Sequence, residues 1–370
     1  MTKVVQTQEA KDNANQLQAN TMYVTISGTD EKRVREIFDE MYDIAKRDLS
    51  EIAIKTANER VAKFEDAFVP KITKIDGAIN SLADPSFQLL LTEAHKTAAA
   101  TEREADYELL SELLVHRIKK VDDRKVRLGI SEAVKIVDKI DDDALLGLTL
   151  AYSVNIYPLN GNIYEGLNIL EENMQKLMYD QLPKGSEWIE HLDILKTIRM
   201  SQFGKFKKIE EIYIEQLNGY TCVGIEKDSE EYEKAKELLK EIRLSNTILV
   251  EHELNDGYVR LAVASITNIE NINELRKFLY IKTGDEIKEE DILKVQENLL
   301  KIYALYSNDK SLKKKIEEKF LDEWDKRPSL LKFKKWWNFI PNSFDITAIG
   351  NVLAHANAEK YIDKIQKISE

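Results

Sequence analysis

The sequence predicts a mainly α-helical protein, a multi-helix bundle or stacked-helix array with a short N-terminal β segment. Only 13 Gly and 6 Pro in 370 residues supply too few turn residues for a β-sandwich or barrel. Apolar residues recur every three or four positions through most of the chain, which is the helical period. One further short strand is predicted near residues 258–266, where β-branched and small residues are frequent, but a buried helix fits this stretch equally well.

The first 28 residues are predicted to be a separate segment, a disordered leader followed by an oligomerisation strand. Residues 1–20 are polar and rich in amides, and Met22, Val24 and Ile26 then alternate with more polar neighbours. Because an isolated strand has two unpaired backbone edges, we expect it to pair with copies of itself and to bury these three side chains. Pairing within the chain, for instance with residues 258–266, and a disordered tail are the alternatives.

The body of the chain is predicted to consist of helices joined by short loops. Residues 49–82 carry one apolar face that continues past Pro70, so we expect a kinked helix rather than a broken one. Asp84 followed by proline predicts the start of the next helix. A terminal helix is expected to be capped by Asp345 or Thr347.

A turn-rich stretch at residues 155–166 is the best candidate for a domain boundary. It contains one proline, two glycines and three asparagines. The predicted organisation is therefore a leader and strand at 1–28, an N-terminal helical domain at 29–160 and a C-terminal helical domain at 161–370.

Composition excludes several classes of function. The net charge of −12 disfavours general affinity for nucleic-acid phosphates, which depends on clustered Lys and Arg. Cys222 is the only cysteine, so an intrachain disulfide and a thiolate zinc site within one chain are excluded. No apolar run approaches 18 residues, and the start lacks the apolar core of a signal peptide. We expect a cytoplasmic protein that does not span a membrane.

No motif predicts catalysis, a cofactor or a metal. The phosphate-binding loop, the dinucleotide fingerprint and GxSxG are all missing from the sequence. No histidine lies in HExxH or beside a carboxylate at a zinc-like spacing, although two on neighbouring predicted helices could approach each other, His95 and His116. All five are expected to be surface or hydrogen-bonded core residues: His95, His116, His191, His252 and His355. Enzymatic activity stays open, and we favour its absence.

One charge anomaly stands out against the acidic background. Residues 310–339 interleave lysines with tryptophans, a pattern that suits single-stranded nucleic acid or an acidic partner. The alternative is amphipathic helices with core tryptophans and solvated lysines. The candidate contact residues are Lys313, Lys314, Lys332, Lys334, Lys335, Trp336 and Trp337.

Several stretches together resemble a bacterial family that is known by locus names only. They are the amide-rich NQLQA with its strand, DPSFQLLLTEAHKTAA, ELLSELLVHRI and the final ITAIGNVLAHAN. The resemblance is best over the first 120 residues and returns at the C-terminus. The family is uncharacterised, is sporadically distributed and is sometimes associated with mobile defence islands. It implies no activity, cofactor or catalytic residue.

Two hypotheses of function result. The first is a non-enzymatic, homo-oligomeric helical scaffold or sensor that recognises a protein partner, in bacterial antiviral defence if the resemblance holds. The second is an effector that binds nucleic acid through the lysines and tryptophans of residues 313–337.

Overall fold

A computed structural model describes residues 31–45, 51–119, 123–155, 162–201, 204–244, 246–284 and 286–362. Within these ranges the protein is mainly helical with a few short antiparallel strands, as the sequence predicts. The predicted strand of Met22, Val24 and Ile26 lies outside the described residues.

The described residues up to 153 form seven helices. They are α1 (Glu31–Ala45), α2 (Glu51–Ile72), α3 (Ala78–Leu82), α4 (Pro85–Ala100), α5 (Glu104–Lys119), α6 (Arg124–Val134) and α7 (Asp142–Ser153). The middle part contains α8 (Ile163–Leu177), α9 (Glu187–Ile194), β1 (Ile198–Met200), α10 (Ile209–Gln216), α11 (Asn218–Thr221), β2 (Ile225–Glu226), α12 (Glu230–Glu241), β3 (Leu249–Glu251) and β4 (Tyr258–Leu261). The final part contains α13 (Thr267–Glu270), α14 (Ile272–Thr283), α15 (Glu289–Ala304), α16 (Lys310–Asp325), α17 (Pro328–Asn338), β5 (Phe344–Ile346) and α18 (Ala348–Glu359).

The helix around Pro70 departs from the prediction. α2 ends at Ile72, two residues after Pro70, and the chain then turns through Gly77, whose φ is +73°. The backbone N–H of Ile75 bonds to the carbonyl of Ile72, so the turn is tighter than an α-helix. The expected kink is therefore a break, and the apolar face resumes in the separate short helix α3.

Two helix caps follow their sequence signals. Asp84 accepts a hydrogen bond from the backbone N–H of Phe87, and Pro85 occupies the first turn of α4. Of the two predicted caps of the terminal helix, Thr347 is the one used, because its side chain accepts from the N–H of Gly350.

The strand predicted near residues 258–266 is confirmed as β4. It lies in the middle of a three-stranded antiparallel sheet in the order β2-β4-β3, with Val259 opposite both Ile225 and Glu251. Both hydrogen-bonding edges of β4 are thus paired, one with β2 and the other with β3.

Buried apolar side chains form two clusters. The larger one combines α1–α11 with α16–α18, and the smaller one spans residues 225–302. The domain boundary near residue 160 stays a prediction, but the clusters group the chain differently, since residues 163–217 and 316–362 pack with the N-terminal helices.

A buried ion pair stands where the two clusters meet. Arg260 is 1% exposed and donates from Nε and Nη2 to the two carboxylate oxygens of Glu253, at 2.8 and 2.7 Å. The same carboxylate accepts from the backbone N–H of Ile163 at 3.3 Å. This bidentate pair therefore joins the small sheet to the start of α8.

The C-terminal helix returns to the N-terminal helices. β5 pairs antiparallel with β1, matching Ile198 with Ile346, and this pairing directs α18 into a position against α5, α6 and α7. α18 contains four alanines and one glycine, and four of its apolar residues are fully buried: Leu353, Ala354, Ala356 and Ala358. α18, near the end of the described chain, therefore packs into the same core as α5, α6 and α7.

Candidate functional site

A groove lies between the chain leading into α9 and the end of α17. It has a volume of about 610 Å³ and is lined mainly by apolar side chains, with Trp188 and Trp336 among them. Phe339, one residue beyond α17, stands at the groove and is 86% exposed. An exposed aromatic ring beside an apolar groove is the kind of surface that protein partners use.

The groove is held in place by specific contacts. Trp336 Nε1 donates a hydrogen bond to the carbonyl of Pro183 at 2.9 Å, which ties α17 to the opposite wall. Trp188 packs against α7 at Gly147, where a Cβ would lie 2.6 Å from two ring carbons. Because residue 147 is glycine, the indole ring of Trp188 can pack this close to α7.

Three lysines surround the groove. Lys184, Lys332 and Lys335 line it, and all three are exposed. Within the described part of the chain none of them forms an ion pair, whereas Lys334 on the same helix is paired with Asp325. The groove therefore carries uncompensated positive charge on a chain whose net charge is −12.

The candidate contact residues from the sequence separate into two surfaces. Lys332, Lys335 and Trp336 meet at the groove. Lys313 lines a second, more polar cavity of about 520 Å³, and Lys314 lies 4.0 Å from Glu318 on the exposed face of α16. The structure thus brings together only part of the predicted patch.

The tryptophan rings are largely enclosed. Trp336 and Trp337 are 9% and 4% exposed, and Trp324 is 1% exposed. Trp337 Nε1 donates to the carbonyl of Lys207, and Trp324 Nε1 donates to that of Leu330, both at 3.0 Å. These rings belong to the core, so their faces are not open for stacking on bases.

A second constellation joins two histidines and a carboxylate. His355 and Glu359 lie one turn apart on α18, and His116 reaches them from α5. His116 Nε2 lies 2.5 Å from one carboxylate oxygen of Glu359, and His355 Nε2 lies 3.3 Å from the other. The ligand atoms of the three residues lie within 4.8 Å of one another, a geometry that could hold a metal ion.

The surroundings of this cluster favour an ionised carboxylate. Burial alone raises the pKa of Glu359, but hydrogen bonds from His116 and His355, together with their charge, hold the pKa well below its usual range. The Tyr152 hydroxyl lies 2.8 Å from Nδ1 of His355. Burial raises the pKa of Tyr152 well above its usual value, so the hydroxyl stays protonated.

Sequence reasoning missed this cluster. We predicted no histidine beside a carboxylate at a zinc-like spacing, but His355 and Glu359 are four residues apart on the terminal helix, and that spacing was the available signal. His116 lies 243 residues before Glu359, and only tertiary packing brings it there. The predicted approach of His95 to His116 is not what forms, since His95 packs against Phe38 instead.

The remaining histidines and the cysteine have ordinary environments. His252 Nε2 donates to the carbonyl of Cys222 at 2.7 Å, and its Nδ1 accepts from the N–H of Leu254. His191 is part-exposed and lies 3.7 Å from Asp141. Burial raises the pKa of the Cys222 thiol to about 12, so it is not a thiolate nucleophile at neutral pH.

Comparison with known proteins yields one finding. A family model that carries only a locus-style "-like" description matches residues 28–367. The match includes the middle of the chain as well as both resembling ends, and residues 1–27 fall outside it. No curated protein and no solved structure matches the sequence. None of the described helices combines the length and apolar character that crossing a membrane requires.

Proposed function

This chain belongs to that locus-named, uncharacterised family, and we propose that it is a non-enzymatic helical scaffold or sensor that recognises a protein partner through the groove between residues 181–188 and 332–341. The observation that carries the proposal is an apolar groove surrounded by three lysines that form no ion pair with any described residue. The partner that fits is an acidic protein segment with a large apolar anchor.

The apolar part of the groove supports the anchor. Trp188, Trp336 and Ile340 are buried in the free protein, so the lining is already formed before a partner binds. Phe339 is exposed at the groove, so a partner that covers its ring removes apolar surface from water. Preformed aromatic pockets beside an exposed ring supply much of the binding energy in protein interfaces.

The charge of the groove supports an acidic partner. Lys184, Lys332 and Lys335 project around the apolar lining from two different segments. Opposite charge on a partner raises the association rate and penalises basic competitors. Since the net charge of the chain is −12, these lysines also direct such a partner to this face.

Binding of single-stranded nucleic acid by the tryptophans is less well supported. The mode expected from the sequence requires open ring faces, and Trp336 and Trp337 are enclosed with their indole N–H groups bonded to backbone carbonyls. Binding of single-stranded nucleic acid is therefore the competing outcome of the test below.

Homo-oligomerisation and a role in bacterial antiviral defence belong to the same proposal. Self-pairing of residues 22–28 would place several copies of the groove on one particle and increase avidity for a repeated partner. The defence role rests on the family resemblance alone.

The test is selection from a display library of 12-residue peptides on the full chain. We expect enrichment of peptides that carry Asp or Glu around a Leu, Phe or Trp. Binding of a selected peptide, measured by fluorescence anisotropy, should weaken at least tenfold in the variant Lys184→Glu, Lys332→Glu, Lys335→Glu. It should also weaken as salt rises.

The matched control changes the same charge on the exposed face of α16, by Lys313→Glu, Lys314→Glu and Lys315→Glu. This control should bind the peptide like the wild type. Enrichment of basic peptides, or equal loss in both triple variants, would contradict the proposal. If a labelled 20-nucleotide single strand binds and the groove variant loses it, the nucleic-acid function is the correct one.

A further inference from the structure

The His116, His355 and Glu359 cluster lies outside the proposed groove and is built from fixed elements. None of its residues lines the groove. α18 approaches its neighbours closely at two glycines: a Cβ on Gly350 would lie 2.1 Å from the carbonyl oxygen of Thr197, and one on Gly129 would lie 2.9 Å from that of Ala348. This close packing holds the two α18 side chains opposite α5.

The donor atoms suit a first-row transition metal. Two imidazole nitrogens and one carboxylate are ligands that Zn²⁺ and its neighbours accept, whereas Mg²⁺ and Ca²⁺ prefer oxygen alone. Zn–N and Zn–O bonds of about 2.0–2.1 Å give ligand separations of about 3.3 Å in a tetrahedron. His355 Nε2 is already 3.3 Å from Oε1 of Glu359. His116 Nε2 lies 2.5 Å from the other carboxylate oxygen, Oε2, so His116 has to leave this hydrogen bond before its Nε2 can bind the ion.

Tyr152 can support both the metal-free and the metal-bound arrangement. In the metal-free protein, Glu359 can accept from Nε2–H of both histidines, and when the Nε2 proton is the only one on the His355 ring, its Nδ1 accepts from the Tyr152 hydroxyl. When Nε2 binds a metal, the proton belongs on Nδ1, and the Tyr152 oxygen then accepts from it. A hydroxyl serves either role without moving.

An ion can reach the cluster from solvent. The side chains of His355 and Glu359 are 18% and 28% exposed, while that of His116 is 10% exposed. The site is therefore enclosed on its α5 side and open on its α18 side. An open side leaves room for a water molecule as a fourth ligand.

We propose that His116, His355 and Glu359 bind one zinc-class divalent metal ion that joins α5 to α18, with water completing the coordination. The ion ties the N-terminal helices to the C-terminal helix. Metal binding therefore stabilises the packing of α18 against α5. This inference is independent of the peptide groove.

The test uses the untagged, chelator-treated full chain with Zn²⁺ and with Co²⁺ as a spectroscopic substitute. We expect one ion per chain, a rise in unfolding temperature with Zn²⁺, and the intense visible absorption of four-coordinate Co²⁺. His116→Ala and Glu359→Gln should each weaken Zn²⁺ binding at least tenfold. His191→Ala is the matched control and should bind like the wild type, because His191 lies outside the cluster.

The variant Tyr152→Phe distinguishes a supporting role of the Tyr152 hydroxyl in metal binding from a general loss of structure. It removes only the hydroxyl, so we expect about 10- to 100-fold weaker Zn²⁺ binding with the four-coordinate Co²⁺ spectrum retained. The proposal fails if the wild type binds no Zn²⁺ at millimolar concentration, if Co²⁺ shows only the weak absorption of six-coordination, or if the ligand variants bind as the control does. The Co²⁺ spectrum of the wild type decides the matter even where a ligand variant does not fold.

Discussion

At the scale of single residues, His95 is an imidazole enclosed in the apolar core of the N-terminal helices. Its side chain is fully buried, with the ring centroid 4.1 Å from that of Phe38 and 5.9 Å from that of Phe64. Neither ring nitrogen has a well-formed hydrogen bond. Burial lowers the pKa of His95 to about 3, and the carbonyl of Leu91 offsets this only slightly.

We predict that His95 makes the protein less stable in mild acid. In the unfolded chain its pKa is about 6.5, so the unfolded state takes up a proton as pH falls below that value while the native state does not. The contribution of neutral, buried His95 to the free energy of unfolding is thus complete above about pH 6.5 and is lost progressively towards pH 3. Between pH 7 and pH 5 the loss amounts to about 2 kcal/mol.

The variant His95→Phe tests this dependence, because Phe matches the aromatic neighbours and cannot titrate. Urea unfolding at pH 7 and pH 5 should show a pH dependence smaller by about 2 kcal/mol than in the wild type. The variant should also be the more stable of the two, since it removes an unpaired buried polar group. His191→Gln is the control at a part-exposed histidine. Parallel pH curves for wild type and His95→Phe would show that His95 is not the cause.

At the scale of elements, the docking of α18 depends on the absence of a side chain at residue 350. A Cβ there would meet the backbone oxygen of Thr197 at 2.1 Å and Cγ2 of Ile346 at 2.8 Å. Backbone cannot rotate away as a flexible side chain can, so the helix itself has to move.

Gly350→Ala is therefore predicted to destabilise the protein by about 1–3 kcal/mol, although alanine is the better helix former. The free energy of unfolding by urea measures the effect. Asn351→Ala, at the next and exposed position of α18, should be neutral or stabilising. Equal stability of Gly350→Ala and the wild type would mean that α18 does not pack as closely as described.

Sequence patterns predicted elements best where the determining contacts are local. The caps at Asp84 and Thr347 involve residues within one turn, and both form as expected. The break after Ile72 was missed because the apolar period continued past Pro70. That period reports which side chains are buried, and a turn between two helices can preserve it.

At the scale of the whole molecule, the sequence pointed to residues on one wall of the candidate groove and to none on the other wall. The sequence singled out the lysines and tryptophans of residues 313–337, and three of them line the groove: Lys332, Lys335 and Trp336. The opposite wall of the groove, at residues 181–188, lies about 150 positions earlier in the chain. The pairing of His116 with Glu359 is equally remote. Such contacts follow from packing between elements, which periodicity along the chain cannot specify.

The topology also narrows the alternatives for the N-terminal strand. β4 is flanked by β2 and β3, so residues 258–261 do not offer a free edge to residues 22–26. We predict that the full chain is a defined oligomer and that deletion of residues 1–28 gives a folded monomer. Light scattering gives the two masses, and circular dichroism checks that the shorter chain is helical. Two monomers would make the self-pairing interpretation wrong.

The central claim is that the groove recognises an acidic segment through its charge and shape. A charge-exchange measurement tests this claim most directly. The affinity of a selected acidic peptide, and of the same peptide with Lys in place of each acidic residue, is measured by anisotropy for two proteins. These are the wild type and the variant Lys184→Glu, Lys332→Glu, Lys335→Glu. The account predicts that the wild type prefers the acidic peptide and the variant the basic one, because the apolar anchor is unchanged while the charge is reversed. Unchanged preference for the acidic peptide would show that recognition occurs elsewhere on the protein.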